Sequence, residues 1–380
     1  MLFIKLFNLK NIILLVCGFV VFFKSAVSYF IDYEEVSHQI TVNHPGEKAP
    51  VQATLIQILG KNRTTIGYKM DVVSVICLEQ VCKVIPVTIY WDAVGNYQKY
   101  DIEKGQTLEK YEADVFAPED YTKLHRILSD KQSPFKEVLL SEVLTVVVPG
   151  QDDVDAVSGA TALKLDEKDT VPGAALTCYT LWHWVNGGLI PIIKDITGKT
   201  ASYKQLLQFL NEESRPYFEV ALKELARRQH YETSLVNLII SKSLMYKKDS
   251  NPTLDFFENG PKQVFQSALY ELFVLGDKSQ RIAVLQSFKN TSHHLNSLYL
   301  ERLSEALSQT VSFQEISIFL QLIEENNVNS EAVNEALKPF LETDFLIARR
   351  VYWYLNTQLN LNKALRDEVQ AFRLKYANKL

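Results

Sequence analysis

Residues 142–165 read EVLTVVVPGQDDVDAVSGATALKL, and how they are parsed decides the architecture of the first half of the chain. Val143, Leu144 and Val146–Val148 form a nearly continuous apolar, β-branched run, the pattern of a buried strand. Pro149-Gly150 ends it. Beyond Asp152-Asp153 the side chains become small. Gly159 and Ala160 let another group approach the backbone closely. The reading is strand, turn, then a helix opening near Ser158. The free N–H groups of such a helix favour an anion, for example a phosphate, and Thr161 would offer a hydroxyl one turn in. The same residues also make an ordinary capped helix, with Ser158 or Asp155 as the cap.

Working upstream, PVQATLIQILG (50–60), TTIGYKMDVVSVICL (64–78) and CKVIPVTIYWD (82–92) are rich in Val, Ile, Thr and Tyr and broken by Gly and Asn, so strands are expected. A tight turn at Glu79-Gln80 sets Cys77 opposite Cys82, a candidate cross-strand disulfide in an oxidising compartment; two buried thiols are the alternative. A second turn falls at Gly95-Asn96. APEDYTKLHRILSDKQSPF (117–135) reads as a helix whose apolar face is Leu124, Ile127 and Leu128, with Pro134 beyond its end. The first half is an α+β domain.

From about residue 200 the period changes to that of helices. SYKQLLQFLNEE (202–213) begins with the capping-box spacing Ser202/Gln205. With this one, about ten helical segments joined by short loops run to the C-terminus. Stacked antiparallel pairs are expected, HEAT-like in helix length and rhythm, with an irregular helical bundle as the alternative.

The chain has 380 residues, 47% of them hydrophobic, and a formal net charge of −5, which describes a folded protein and gives no support to nucleic-acid binding. Residues 1–28 carry Lys5 and Lys10, the apolar run Ile12–Phe23 and small residues at Ala26 and Ser28, the layout of a cleaved signal peptide. Export to the periplasm or cell envelope follows, close to a membrane surface. The divisions are 1–28 signal peptide, 29–190 α+β domain and 200–380 helical domain.

Asp155-Ala-Val-Ser158-Gly159-Ala160-Thr161 resembles the D-x-x-[ST]-G-A-T flavinylation motif of the FMN-binding domain family, found in flavin-carrying subunits of sodium-translocating quinone reductases and Rnf complexes. The likeness extends loosely over residues 50–185. It implies FMN joined through a phosphoester to Thr161 by an exported flavin transferase, which uses FAD and a divalent metal ion and releases AMP. Asp155, Ser158, Gly159 and Ala160 would be part of what the transferase reads. The chain departs from the family pattern at Leu163, where many members have Thr or Ser, and in lacking a Glu-Thr-Pro-Gly stretch. The function implied is electron relay to a redox or docking partner rather than substrate conversion. A non-redox interaction protein that has lost its cofactor is the competing reading.

In VPGAALTCYTLWHWVNGG (171–188), Trp182, His183 and Trp184 are candidates to contact a flavin ring, or else the core of a packed helix. CYTLWHW lacks the second cysteine of a haem-attachment site, and Cys178 reads as a buried hydrophobe. No nucleophile set and no metal-ligand spacing stands out. His293-His294, adjacent in what reads as a helix, cannot share a ligand face.

Overall fold

The computed structural model describes residues 33–75, 83–110, 113–147, 165–246, 250–307 and 311–380. Five strands form one antiparallel meander in sequence order: β1 (Glu34–Val42), β2 (Val51–Leu59), β3 (Thr65–Val73), β4 (Pro86–Asp92) and β5 (Tyr97–Ile102). Alternation decides which face is covered. Leu55, Tyr68, Met70, Val87, Ile89 and Trp91 point to one side and are buried, while Thr54, Asp71 and Thr88 point to the other. The Gly95-Asn96 turn is present. The Asp92 carboxylate accepts the N–H groups of Val94 and Asn96 at 2.9 and 2.8 Å, and Gly95 takes φ +84°.

The sheet is not zipped along its whole length. β2 and β3 pair only from Ile56↔Lys69 to Leu59↔Thr65. Among the described residues, Val51–Leu55 pair with β1 alone, and Met70–Val73 with β4 alone. The two middle strands therefore diverge as a wedge.

Helices α1 (Pro118–Ser129), α2 (Leu140–Val147) and α3 (Ala175–Asn186) pack beside the sheet. The face of α1 is the expected one, with Leu124, Ile127 and Leu128 buried. α2 corrects the expectation of a strand over 142–148. The Glu142 carboxylate accepts the Leu139 N–H at 2.7 Å, which caps the first turn, and Val143 is driven into the space against α3. Tertiary packing overrides the β preference of a Val-rich run.

Twelve more α-helices follow among the described residues: α4 (Leu189–Thr200), α5 (Tyr203–Asn211), α6 (Arg215–Arg227), α7 (Thr233–Met245), α8 (Asn251–Glu258), α9 (Lys262–Leu275), α10 (Lys278–Asn290), α11 (Ser297–Glu305), α12 (Phe313–Glu325), α13 (Glu331–Leu337), α14 (Phe345–Asn356) and α15 (Lys363–Lys375). Capping boxes open α5 at Ser202/Gln205, α10 at Asp277/Gln280 and α12 at Ser312/Glu315. Contacts run chiefly between helices one or two places apart, as in a stack. The architecture is thus an antiparallel sheet with flanking helices, followed by an all-helical region. His293 is not helical; it lies in the loop after α10, where its ring packs on Phe265 and Nε2 lies 3.1 Å from the Glu258 carbonyl.

Two hydrophobic cores result. One lies under the sheet and ends at Leu189 and Ile193 of α4; the other runs through α5–α15. Val94, from the β4–β5 turn, belongs to the second core. The sheet and the helical region are thereby pinned together.

Candidate functional site

Thr161, Asp155, Ser158, Gly159 and Ala160 lie outside the described residues, as do Cys77, Cys82 and residues 1–28. The chain on either side of the 148–164 segment is firmly held. Val143 on α2 and Val171 just before α3 are both fully buried in the core under the sheet. The Val171 N–H lies 3.4 Å from the Cys178 sulfur, and burial pushes that thiol up to about 12. Cys178 is therefore a packed, protonated thiol rather than a nucleophile.

α3 carries the aromatic cluster that the sequence singled out. Its residues Thr177, Cys178, Tyr179, Leu181, Trp182, Trp184 and Val185 are buried, so it is covered nearly all round. His183 sits in a cage of rings: Tyr179 at 4.4 Å, Trp182 at 5.0 Å and His44 at 5.9 Å between centroids. Burial, with the electrostatic influence of the neighbouring His44 imidazole in support, pushes His183 down to about 4 against an opposing hydrogen bond to the Phe135 backbone. Among the described residues its buried Nε2 has no hydrogen-bond partner, and neither has the Trp184 Nε1.

Sequence reasoning missed His44. It follows β1 and is 4% exposed, with Nε2 3.0 Å from the Thr180 carbonyl and Nδ1 3.0 Å from the Gly46 N–H. A carbonyl only accepts and an N–H only donates. The ring is therefore the neutral tautomer, with its proton on Nε2. Burial lowers its pKa, partly offset by the Thr180 bond. The ring lies 4.6 Å from Trp184, tilted by 36°. No local signal announces a contact between residues 136 positions apart.

Chemically, this cluster holds two neutral imidazoles and two indoles in a largely buried setting. Trp182 Nε1 is committed to the Asp130 carbonyl at 2.9 Å, whereas Trp184 Nε1 and His183 Nε2 form an uncommitted donor and acceptor. Among the described residues no group of three or more His, Cys, Asp or Glu side chains is placed to hold a metal ion. No helix among them is long and apolar enough to cross a membrane.

Trp184 also borders the open wedge between β2 and β3. This cleft of about 840 Å³ is lined by Val51, Ala53, Met70 and Val72 on its inner side and by Gln52, Thr54, Asp71 and Thr88 on its outer side.

Comparisons with protein-family models, with curated proteins and with solved structures found no match to this chain.

Proposed function

We propose that the chain is an exported flavoprotein that carries FMN on Thr161 and relays electrons outside the cytoplasm, with the helical stack docking a partner. The observation that carries the reading is the complete Asp155-x-x-Ser158-Gly159-Ala160-Thr161 run, set in a segment whose two flanks, at Val143 and Val171, are buried in one core. A segment held at both ends fits a covalently attached group, because the tether then limits where that group can go. In the attachment reaction the Thr161 oxygen displaces AMP from FAD, forming a phosphoester to FMN and losing the hydroxyl proton. Bound FMN supplies the redox chemistry; the protein supplies orientation, polarity and limited solvent access. The uncommitted Trp184 Nε1 and His183 Nε2 are the described polar atoms that fit a heteroaromatic edge with both donors and acceptors.

The deciding experiment expresses the full chain in an exporting host with a flavin transferase, beside Thr161→Ala. In-gel flavin fluorescence after denaturation is expected for the wild type and absent from the variant. A dark wild-type band, with the transferase active on a control protein, rejects the reading in favour of a cofactor-free interaction protein.

A further inference from the structure

An antiparallel sheet gains its hydrogen bonds by pairing every inner strand on both sides. β2 and β3 are inner strands in the order β1-β2-β3-β4-β5, yet over Val51–Leu55 and Met70–Val73 each pairs on one side only. Continuing the Ile56↔Lys69 register would set Leu55 against Met70 and Ala53 against Val72; instead the strands part. Two backbone edges therefore face each other across a cleft of about 840 Å³, and among the described residues alternate N–H and C=O groups on each have no strand partner.

The side chains around the wedge keep the alternation of a sheet that lacks one strand. Val51, Ala53, Met70 and Val72 stand on the inner side, continued by Trp184 of α3. Trp184 is 3% exposed, and among the described residues its Nε1 has no partner. Gln52, Thr54, Asp71 and Thr88 stand on the outer side. The rim also carries Glu47 and Asp71, the latter accepting the Thr88 hydroxyl at 2.5 Å, whereas Lys69 is already paired with Glu35 at 2.7 Å. A compact small molecule would leave the two edges unsatisfied. An extended chain has a donor and an acceptor at every residue and satisfies both edges at once.

We propose that the wedge between β2 and β3 is a docking site for an extended strand from a partner protein, with apolar residues alternating with polar ones and a basic side chain on the outer face. The strand would lie between Val51–Leu55 and Met70–Val73, completing the sheet from within. Its apolar residues would cover Val51 and Ala53, with the buried Val72 and Trp184 beneath them, and its basic residue would meet Glu47 and Asp71. The proposal does not depend on whether Thr161 carries FMN.

The test is backbone amide exchange on the full chain, read peptide by peptide. The probe is a pool of capped hexapeptides with Val, Ile or Leu at odd positions and Thr, Ser or Lys at even ones. In the free protein at low concentration, Val51–Leu55 and Met70–Val73 are expected to exchange faster than the paired Gln57 and Tyr68. The pool at millimolar concentration should slow both segments by about tenfold or more. The same pool N-methylated at alternate residues should not, because it cannot complete the ladder. Protection of both segments in the free protein, or equal slowing by the N-methylated pool, overturns the proposal, as does failure of the unmodified pool to slow either segment. Slowing that follows protein concentration without peptide assigns the cleft to a second copy and overturns the partner assignment.

Discussion

The Tyr68 hydroxyl on β3 lies 2.7 Å from the Thr197 hydroxyl on α4, and Thr197 in turn donates to the Ala93 carbonyl at 2.5 Å. Thr197 has one proton and gives it to Ala93, so Tyr68 is the donor in the first bond. Burial raises the tyrosine pKa, which keeps that proton in place. This short relay ties sheet, turn and helix together in a region closed to solvent. Thr197→Val removes both bonds while preserving shape. It should cost about 2–3 kcal/mol, because a buried carbonyl and a buried phenol both lose a partner. Tyr68→Phe should cost about 1 kcal/mol. Urea midpoints of the two variants check this; equal, negligible shifts would sink it.

Gly95→Ala tests the turn that carries Val94 into the helical core. Gly95 sits at φ +84°, and an added Cβ would come within 3.1 Å of Ile190. The left-handed conformation alone costs a non-glycine residue about 1–2 kcal/mol. Thermal melts should show the loss, and Val94→Ala should add about 2 kcal/mol by leaving a cavity in the second core.

His44 and His183 make stability depend on mild acid. Both are held neutral in the fold, His183 down to about 4 through burial and then His44. Between pH 6.5 and 4 the unfolded chain binds more protons at these positions than the folded one. Stability is therefore complete above the unfolded value near 6.5 and is lost as pH falls toward the folded value. Discounting for the solvent that reaches part of the ring, about 1 kcal/mol should go between pH 7 and pH 5, a shift of roughly 1–1.5 °C in Tm for a chain of this length. His183→Phe should flatten that slope. An unchanged slope would show that the pair does not control it.

Glu315, 1% exposed, receives Arg281 Nε at 2.6 Å and the Ser312 N–H at 2.7 Å. Arg281→Ala strands a buried carboxylate and should cost about 3 kcal/mol, whereas Glu315→Gln keeps the helix cap and should cost less. Denaturant titrations that rank the two in the opposite order would contradict this account.

Local chemistry made some of the fold readable from the sequence. Ser202/Gln205 announces a helix start because both partners of the capping box lie within one turn, and Gly95 announces a hairpin because few residues tolerate its φ. α2 was hidden because a Val-rich run carries a strand signature that packing against α3 overrules. β1 was hidden because EEVSHQITV buries only Ile40 and Val42 among its nine residues. α4 contains Pro191 and Gly198, residues that look like breaks, yet the proline falls in the first turn, where its missing N–H costs nothing. At the candidate site His183 was readable and His44 was not, since the contact of His44 with Thr180 depends on the finished fold.

α4 places Leu189 and Ile193 in the core under the sheet, and the chain emerges from it at Ala201 into the other core. The same helix holds Thr197, and its last turn is clamped by Arg228, which donates to the Gly198 and Ala201 carbonyls at 3.1 and 2.8 Å. The rod is thus fastened into one core at its start and leads into the other at its end. Tension applied between the sheet and the helical stack would load α4 along its length, so the two halves should give way together rather than separate like beads on a string.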